Sequence, residues 1–180
     1  MATGLGDAEA DRFFAGFDFA AWNQACDAGR PWSEALGQLE QDHPEWLAHG
    51  RAYHEHFAAS LVAELPATVA IVQTLHRAGV PQVGLTNWSA ELWHHAPARF
   101  GFLELLADVV VSGEVGIAKP DPAIYRLAAE RCGLPPHALV FVDDKPANAA
   151  AATAVGMRGL VFTDPAVLRT DLLALGLPVL

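Results

Sequence analysis

Four short apolar runs, Val83-Gly84-Leu85, Asp108-Val109-Val110-Val111, Leu139-Val140-Phe141-Val142 and Leu160-Val161-Phe162, are separated by segments with helical signals. This alternation constrains the fold more than any other property of the chain. Runs that are apolar throughout, rather than every second residue, are buried on both faces, as in a parallel sheet flanked by helices. Residues 68–78 read as a helix closed by Gly79, and residues 89–100 as another. A third helix over 122–132 has Asp121 as its cap, Pro122 at its first position and Gly133 just past its end. An Ala-rich helix over 146–155 ends at Gly156. Residues 66–180 are therefore expected to form an α/β domain built on a Rossmann-like parallel sheet.

Residues 7–65 have a different texture. Asp7 is expected to cap a helix through residue 14, Asp18 another through about 28, and Pro31 or Ser33 a third through about 41. Pro44 opens a fourth that runs to about residue 64, with Trp46, Tyr53, Phe57 and Leu61 at roughly helical spacing. Trp22, Trp32 and Trp46 read as the core of this bundle, the alternative being that they line a substrate pocket. It is also where the charge lies: eleven acids against Arg12, Arg30 and Arg51 give −8 of the chain's −10. That balance disfavours nucleic acid and anionic membrane surfaces as partners. No apolar run of membrane-spanning length and no secretory leader pattern occurs, so a soluble, cytoplasmic protein is expected. Cys26 and Cys132 read as plain thiols, and the eight histidines form no ligand cluster.

In an open parallel sheet, ligands bind beyond the carboxyl ends of the strands. Three ends carry suggestive groups. Thr86-Asn87-Trp88-Ser89 places a hydroxyl and backbone amides before a helix, a geometry suited to an oxyanion, although Ser89 could equally serve as an ordinary N-cap. Lys119 is held by Pro120 just before a capped helix and is one of only two lysines, the other being Lys145; each could also be a solvated surface group. Asp143 and Asp144 end an apolar strand, and paired carboxylates there suit Mg²⁺; the alternative is that Asp144 caps the following helix while Asp143 bonds a loop.

In this order and spacing, Thr86-Asn87, Lys119-Pro120 and Asp143-Asp144 resemble the haloacid dehalogenase superfamily of hydrolases. The stretches VVVSGEVGIAKPDPAIY and VFVDDKPANAAAATAVGM, within residues 109–157, are similar to that family as well. The resemblance covers 66–180, and the helical segment 7–65 is similar to the cap such enzymes insert after their first strand. It implies that Thr86, the Asn87 amide and Lys119 contact a small phosphorylated substrate, that Thr86 and Lys119 serve catalysis, and that Asp143 holds Mg²⁺ with Asp144 beside it or reaching it through water; Trp88, directly after the anion-binding turn, is the aromatic to assign to the substrate pocket. It further implies a phosphatase rather than a metal-free 2-haloacid dehalogenase, whose corresponding loop usually carries Ser and Asn.

The family's opening strand, which ends in Asp-x-Asp and supplies the nucleophile, has no counterpart before the cap. The nearest segment, Phe17-Asp18-Phe19-Ala20, has Ala where the second Asp belongs. Covalent phosphoryl transfer without its nucleophile is expected to be nearly abolished, which leaves a non-catalytic phosphate- or partner-binding role as the alternative function. Five buried side chains contribute about 1.5–3 kcal/mol each, comparable in total with a domain's whole stability of about 5–15 kcal/mol. The expectation is therefore an N-terminal extension, direct pairing of the two flanking strands, or a strand contributed by another chain, including a second copy in a homo-oligomer.

Overall fold

The computed structural model describes residues 6–179. In chain order these form α1 (Asp7–Ala15), α2 (Phe19–Asp27), α3 (Trp32–Asp42), α4 (Leu47–Glu55), α5 (Pro66–Arg77), β1 (Val83–Thr86), α6 (Ala90–Trp93), α7 (His95–Arg99), β2 (Asp108–Val111), α8 (Ser112–Val115), α9 (Pro122–Cys132), β3 (Val140–Asp143), α10 (Pro146–Ala154), β4 (Arg158–Val161) and α11 (Pro165–Ala174). No helix among the described residues is long and apolar enough to cross a membrane. The chain divides into two compact units, one of residues 1–63, 87–99 and 111–116, the other of 64–86, 100–110 and 117–180.

Several helix ends follow from local chemistry. Asp18 caps α2 by accepting from the Ala21 N–H at 3.0 Å, and Asp121 caps α9 by accepting from Ala123 at 2.8 Å. The N-cap of α1 is Gly6 rather than Asp7, which is the first helical residue. The single long helix expected after Pro44 is instead a 3₁₀ turn (Pro44–Trp46), α4 and a second 3₁₀ turn (Phe57–Ser60). The Ser60 hydroxyl donates to the Phe57 carbonyl, offering that backbone an alternative to the helical ladder. Leu65 is extended, as the residue before a proline prefers. The helix expected over 89–100 is likewise split into α6 and α7, because Pro97 has no N–H to give to the preceding turn. The short α8 and the ten-residue α11 were not foreseen from sequence.

The helical unit packs around buried Phe13, Trp22, Cys26, Trp32, Ala35, Leu39, Tyr53 and Leu92. Trp22 and Trp32 meet edge to face, with ring centroids 5.2 Å apart, and the Trp22 indole N–H donates to the Ala35 carbonyl at 2.9 Å. Trp46 lies at the margin of this core, half-buried against it.

In the second unit, β3 and β4 pair in parallel with Val140 opposite Arg158 and Asp143 opposite Val161. On one face of this ladder α5 and α11 bury Ile71, Leu75, Leu168 and Leu172 against Val140 and Leu160. On the other, the fully buried Tyr125 of α9 stands edge-on to Phe141, and α10 crosses Gly159. A Cβ at Gly159 would sit 2.1 Å from the Ala149 carbonyl oxygen, so the backbone itself would have to move. Gly159→Ala is accordingly expected to cost about 1–3 kcal/mol of unfolding free energy, measured by urea denaturation.

Among the described residues, β1 and β2 form one two-stranded ladder and β3 and β4 another, with no hydrogen-bonded pairing between the two. Direct pairing of the strands that end at Thr86 and Asp143, one of the three outcomes expected from sequence, is therefore not observed. β1 is half-buried throughout, and Val142 of β3 is 37% exposed, unlike the interior strands of a fully covered sheet.

Candidate functional site

Lys119 joins the two ladders where they are not paired. Its ammonium donates to the Leu85 carbonyl of β1 at 2.8 Å and to Asp143 Oδ2 of β3 at 2.7 Å, and lies 5.6 Å from the centre of the Phe141 ring. Both partners of the ion pair are largely buried, with side chains 11% and 6% exposed. Lys119 is thus fixed rather than solvated. It sits in the turn after α8, and its peptide bond to Pro120 is cis.

Asp143 receives two further donors on its other oxygen, the Lys145 backbone N–H at 2.8 Å and Asn148 Nδ2 at 2.9 Å. Burial works to raise its pKa, but the Lys119, Lys145 and Asn148 hydrogen bonds outweigh it and hold the carboxyl below the usual range. Asn148 was not singled out from sequence, where it is one polar residue in the Ala-rich run 147–152. Its only signal there is its place five residues after Asp143, in the first turn of the following helix. The Asn148 carbonyl in turn accepts from the Tyr125 hydroxyl at 3.0 Å. That phenol is pushed up to about 12, first by burial and then by the Asp143 charge, so it remains a donor at neutral pH.

The other expected groups of this unit are less engaged. Thr86 ends β1 and is half-buried, while Asp144 and Lys145 have exposed side chains. Asp144 does not cap α10, whose N-cap is Lys145 with no side-chain cap. As a magnesium site, Asp143 has three of its four lone-pair directions taken by protein donors, and Asp144 adds an exposed carboxylate. Mg²⁺ usually takes only one or two protein carboxylates beside waters and phosphate, so this donor set fits it. Among the described residues, no group of three or more His, Cys, Asp or Glu side chains is placed to hold a metal.

Asn87 and Trp88 belong to the helical unit, where they line a cavity of about 130 Å³ with Asn23, Asp27, Trp32 and Phe57. Ser89 is its N-cap by position only. Its hydroxyl, 3% exposed, accepts from the Trp32 indole N–H at 2.9 Å instead of bonding α6. The turn is pinned by Ser112, whose hydroxyl accepts from the Trp88 N–H at 2.9 Å and donates to the Asp27 carbonyl. Gly113 lies against it so closely that a Cβ would stand 2.4 Å from the Ala90 nitrogen.

Comparison with known proteins gives consistent results. A family model described as haloacid dehalogenase-like hydrolase matches residues 2–156. Hexitol phosphatase A of Escherichia coli K12 is 34% identical over 107 residues, which cover 58% of this chain and 48% of that protein. Phosphoglycolate phosphatase of Cereibacter sphaeroides is 32% identical over 134 residues, covering 72% and 60% respectively. The chain spans about half the length of the curated relatives it matches. A haloacid dehalogenase family enzyme of Bacteroides thetaiotaomicron, solved in complex with magnesium and inorganic phosphate, shares the fold. Its TM-score is 0.65 at 18% identity, over 81% of this chain and 77% of that one.

Proposed function

Since the chain belongs to the haloacid dehalogenase-like hydrolase family, we propose that it binds the phosphoryl group of a small phosphorylated metabolite in the cytoplasm, beyond the carboxyl ends of β1 and β3. Residues 7–65 act as the cap and 66–180 as the core. The observation that carries this reading is the buried Lys119–Asp143 pair, a fixed cation beside a deprotonated carboxylate at a strand end. Lys119 draws the negative phosphoryl oxygens and disperses their charge, while the Thr86 hydroxyl and the Asn87 N–H orient them. Asp143 and Asp144 hold Mg²⁺, which when bound withdraws charge from the same oxygens. Asn148 and the Lys145 N–H fix the orientation of the Asp143 carboxylate.

Phosphoryl transfer in this family requires an aspartate nucleophile on a strand, and among the described residues no strand ends in Asp-x-Asp. We place that strand between β1 and β3, supplied by residues upstream of those described or by another chain. A second reading, phosphate binding without turnover, is favoured by the same observation.

The test combines turnover with thermal denaturation. Residues 1–180 alone are expected to leave p-nitrophenyl phosphate intact while Mg²⁺ and inorganic phosphate raise the Tm, by about 2.7 kcal/mol of stabilisation at a hundred times Kd. Adding an in-frame apolar strand that ends in Asp-x-Asp is expected to raise Mg²⁺-dependent turnover by several orders of magnitude, up to about 10⁶. Metal-free release of chloride from 2-chloropropionate, or a Tm indifferent to phosphate and Mg²⁺, would overturn the reading.

A further inference from the structure

The helical unit carries a second cleft, of about 250 Å³, where α2 and α3 meet. All of its lining residues belong to that unit, and none is a residue of the Lys119 and Asp143 site. Phe17, Trp22 and Leu39 form its apolar wall, with the His43 ring against Phe17 at 5.4 Å between centroids. Its charges come from Arg30, Asp18 and Asp42.

Arg30 is held in place but not neutralised. Its Nη2 donates to the Trp22 carbonyl at 2.6 Å and its Nη1 to the Gln38 carboxamide oxygen, so two of its five N–H groups are engaged. Beside it lies the Cys26 thiol, which burial pushes up and so keeps neutral at pH 7. The guanidinium is half-buried, and among the described residues no carboxylate lies within ion-pair distance of it. Asp42 follows Gln38 by four residues on the same face of α3, about 6 Å further along the helix. Among the described residues Asp42 pairs with no cation either. Asp18 accepts from the Ala21 N–H through Oδ1 and likewise has no cation beside it.

An uncompensated cation and two uncompensated carboxylates around one cleft select a ligand by charge. An anion alone would meet Arg30 but also Asp18 and Asp42, and a cation alone would meet the carboxylates but also Arg30. An uncharged ligand would leave both demands standing. A zwitterion answers both, because its carboxylate accepts from the guanidinium fork while its ammonium donates to Asp42 or Asp18. The remaining wall of Phe17, Trp22 and Leu39 suits an apolar substituent. The volume is that of about eight waters at about 30 Å³ each, room for about eight non-hydrogen atoms, the size of valine.

We propose that this cleft is a binding site for an α-amino acid with a small aliphatic side chain, held by its carboxylate on Arg30 and by its ammonium on Asp42. Such a site gives the helical unit a ligand other than a phosphate ester, and it stands or falls independently of the phosphate reading.

Valine, isobutyrate and isobutylamine are each titrated into residues 1–180 while the backbone amide signals of Ala21, Gln38 and Asp42 are followed by NMR. Valine is expected to shift them saturably, and the two analogues, each lacking one of its charges, to bind at least tenfold more weakly. Asp42 is exposed, so Asp42→Asn keeps the fold and is expected to weaken valine about tenfold or more. Glu40→Gln, on the same helix but outside the cleft, is expected to leave valine affinity unchanged. No saturable response to valine, an equal or stronger response to either analogue, unchanged affinity in Asp42→Asn, or an equal loss in Glu40→Gln would overturn the proposal.

Discussion

Lys119→Ala is expected to destabilise the protein by about 3–5 kcal/mol, because it strands the Asp143 carboxylate in a buried position with its counter-charge removed. For a chain of this size each kcal/mol shifts the Tm by about 2–4 °C, so the midpoint should fall by about 10 °C in differential scanning calorimetry. Three observations set the scale: the 2.7 Å contact, the side-chain exposures of 11% and 6%, and the second bond from Lys119 to the Leu85 carbonyl. The pH dependence tests the assignment. Because the Asp143 pKa is lowered in the fold, the stability it confers is present above the ordinary carboxylate value of about 3.9 and is lost as pH falls through the folded value. The difference between Lys119→Ala and the parent should therefore be largest near neutral pH and shrink as pH falls toward the carboxylate range, because the unpaired Asp143 of the variant takes up a proton before the paired Asp143 of the parent does. Adding Asp143→Asn to Lys119→Ala should recover part of the loss, since the uncompensated charge is gone. Additive effects, or a penalty that persists at acid pH, would show that Lys119 stabilises the fold by some other route.

The second large effect is in the helical unit. Trp32→Ala is expected to cost about 3–5 kcal/mol, the range for truncating a large buried aromatic. Trp32 is 1% exposed, stands edge-on to Trp22, contacts the His54 ring at 4.9 Å between centroids, and donates its indole N–H to buried Ser89. Trp32→Phe keeps most of the volume but leaves Ser89 without its donor, and should cost less, about 1–3 kcal/mol. The ordering Ala worse than Phe separates packing from hydrogen bonding; equal penalties would place the whole effect in the Ser89 bond. Urea denaturation followed by tryptophan fluorescence reads both, with Trp22, Trp46, Trp88 and Trp93 as remaining reporters.

What was legible in the sequence was what local pattern determines. The four strands lie where continuous apolar runs placed them, with β3 and β4 each offset by a residue or two, because a short β-branched run bounded by helix signals marks a strand even where, as here, its faces are only partly covered. Asp18 and Asp121 cap the helices their positions suggested, since a cap is satisfied within three residues. The failures are tertiary. Ser89 has the right residue type and position for a cap, yet its hydroxyl is claimed by Trp32, 57 residues earlier in the chain. The apparent long helix after Pro44 had the right spacing of Trp46, Tyr53 and Phe57, but Ser60 and Pro66 bring the chain out of it. In the site, Lys119 and Asp143 were identified as separate residues, whereas their contact, and the role of Asn148 in holding Asp143, depend on how β3 and α10 meet.

The two unpaired strand edges bear on how the protein behaves at high concentration. Exposed backbone donors and acceptors along a strand recruit strands from neighbouring molecules, and natural proteins blunt such edges with short strands and inward-pointing charges. Here β1 and β3 are four residues each, and the ammonium of Lys119 occupies the Leu85 carbonyl at the open side of β1. Lys119→Ala, which leaves that carbonyl open, is therefore expected to raise light scattering on standing relative to the parent.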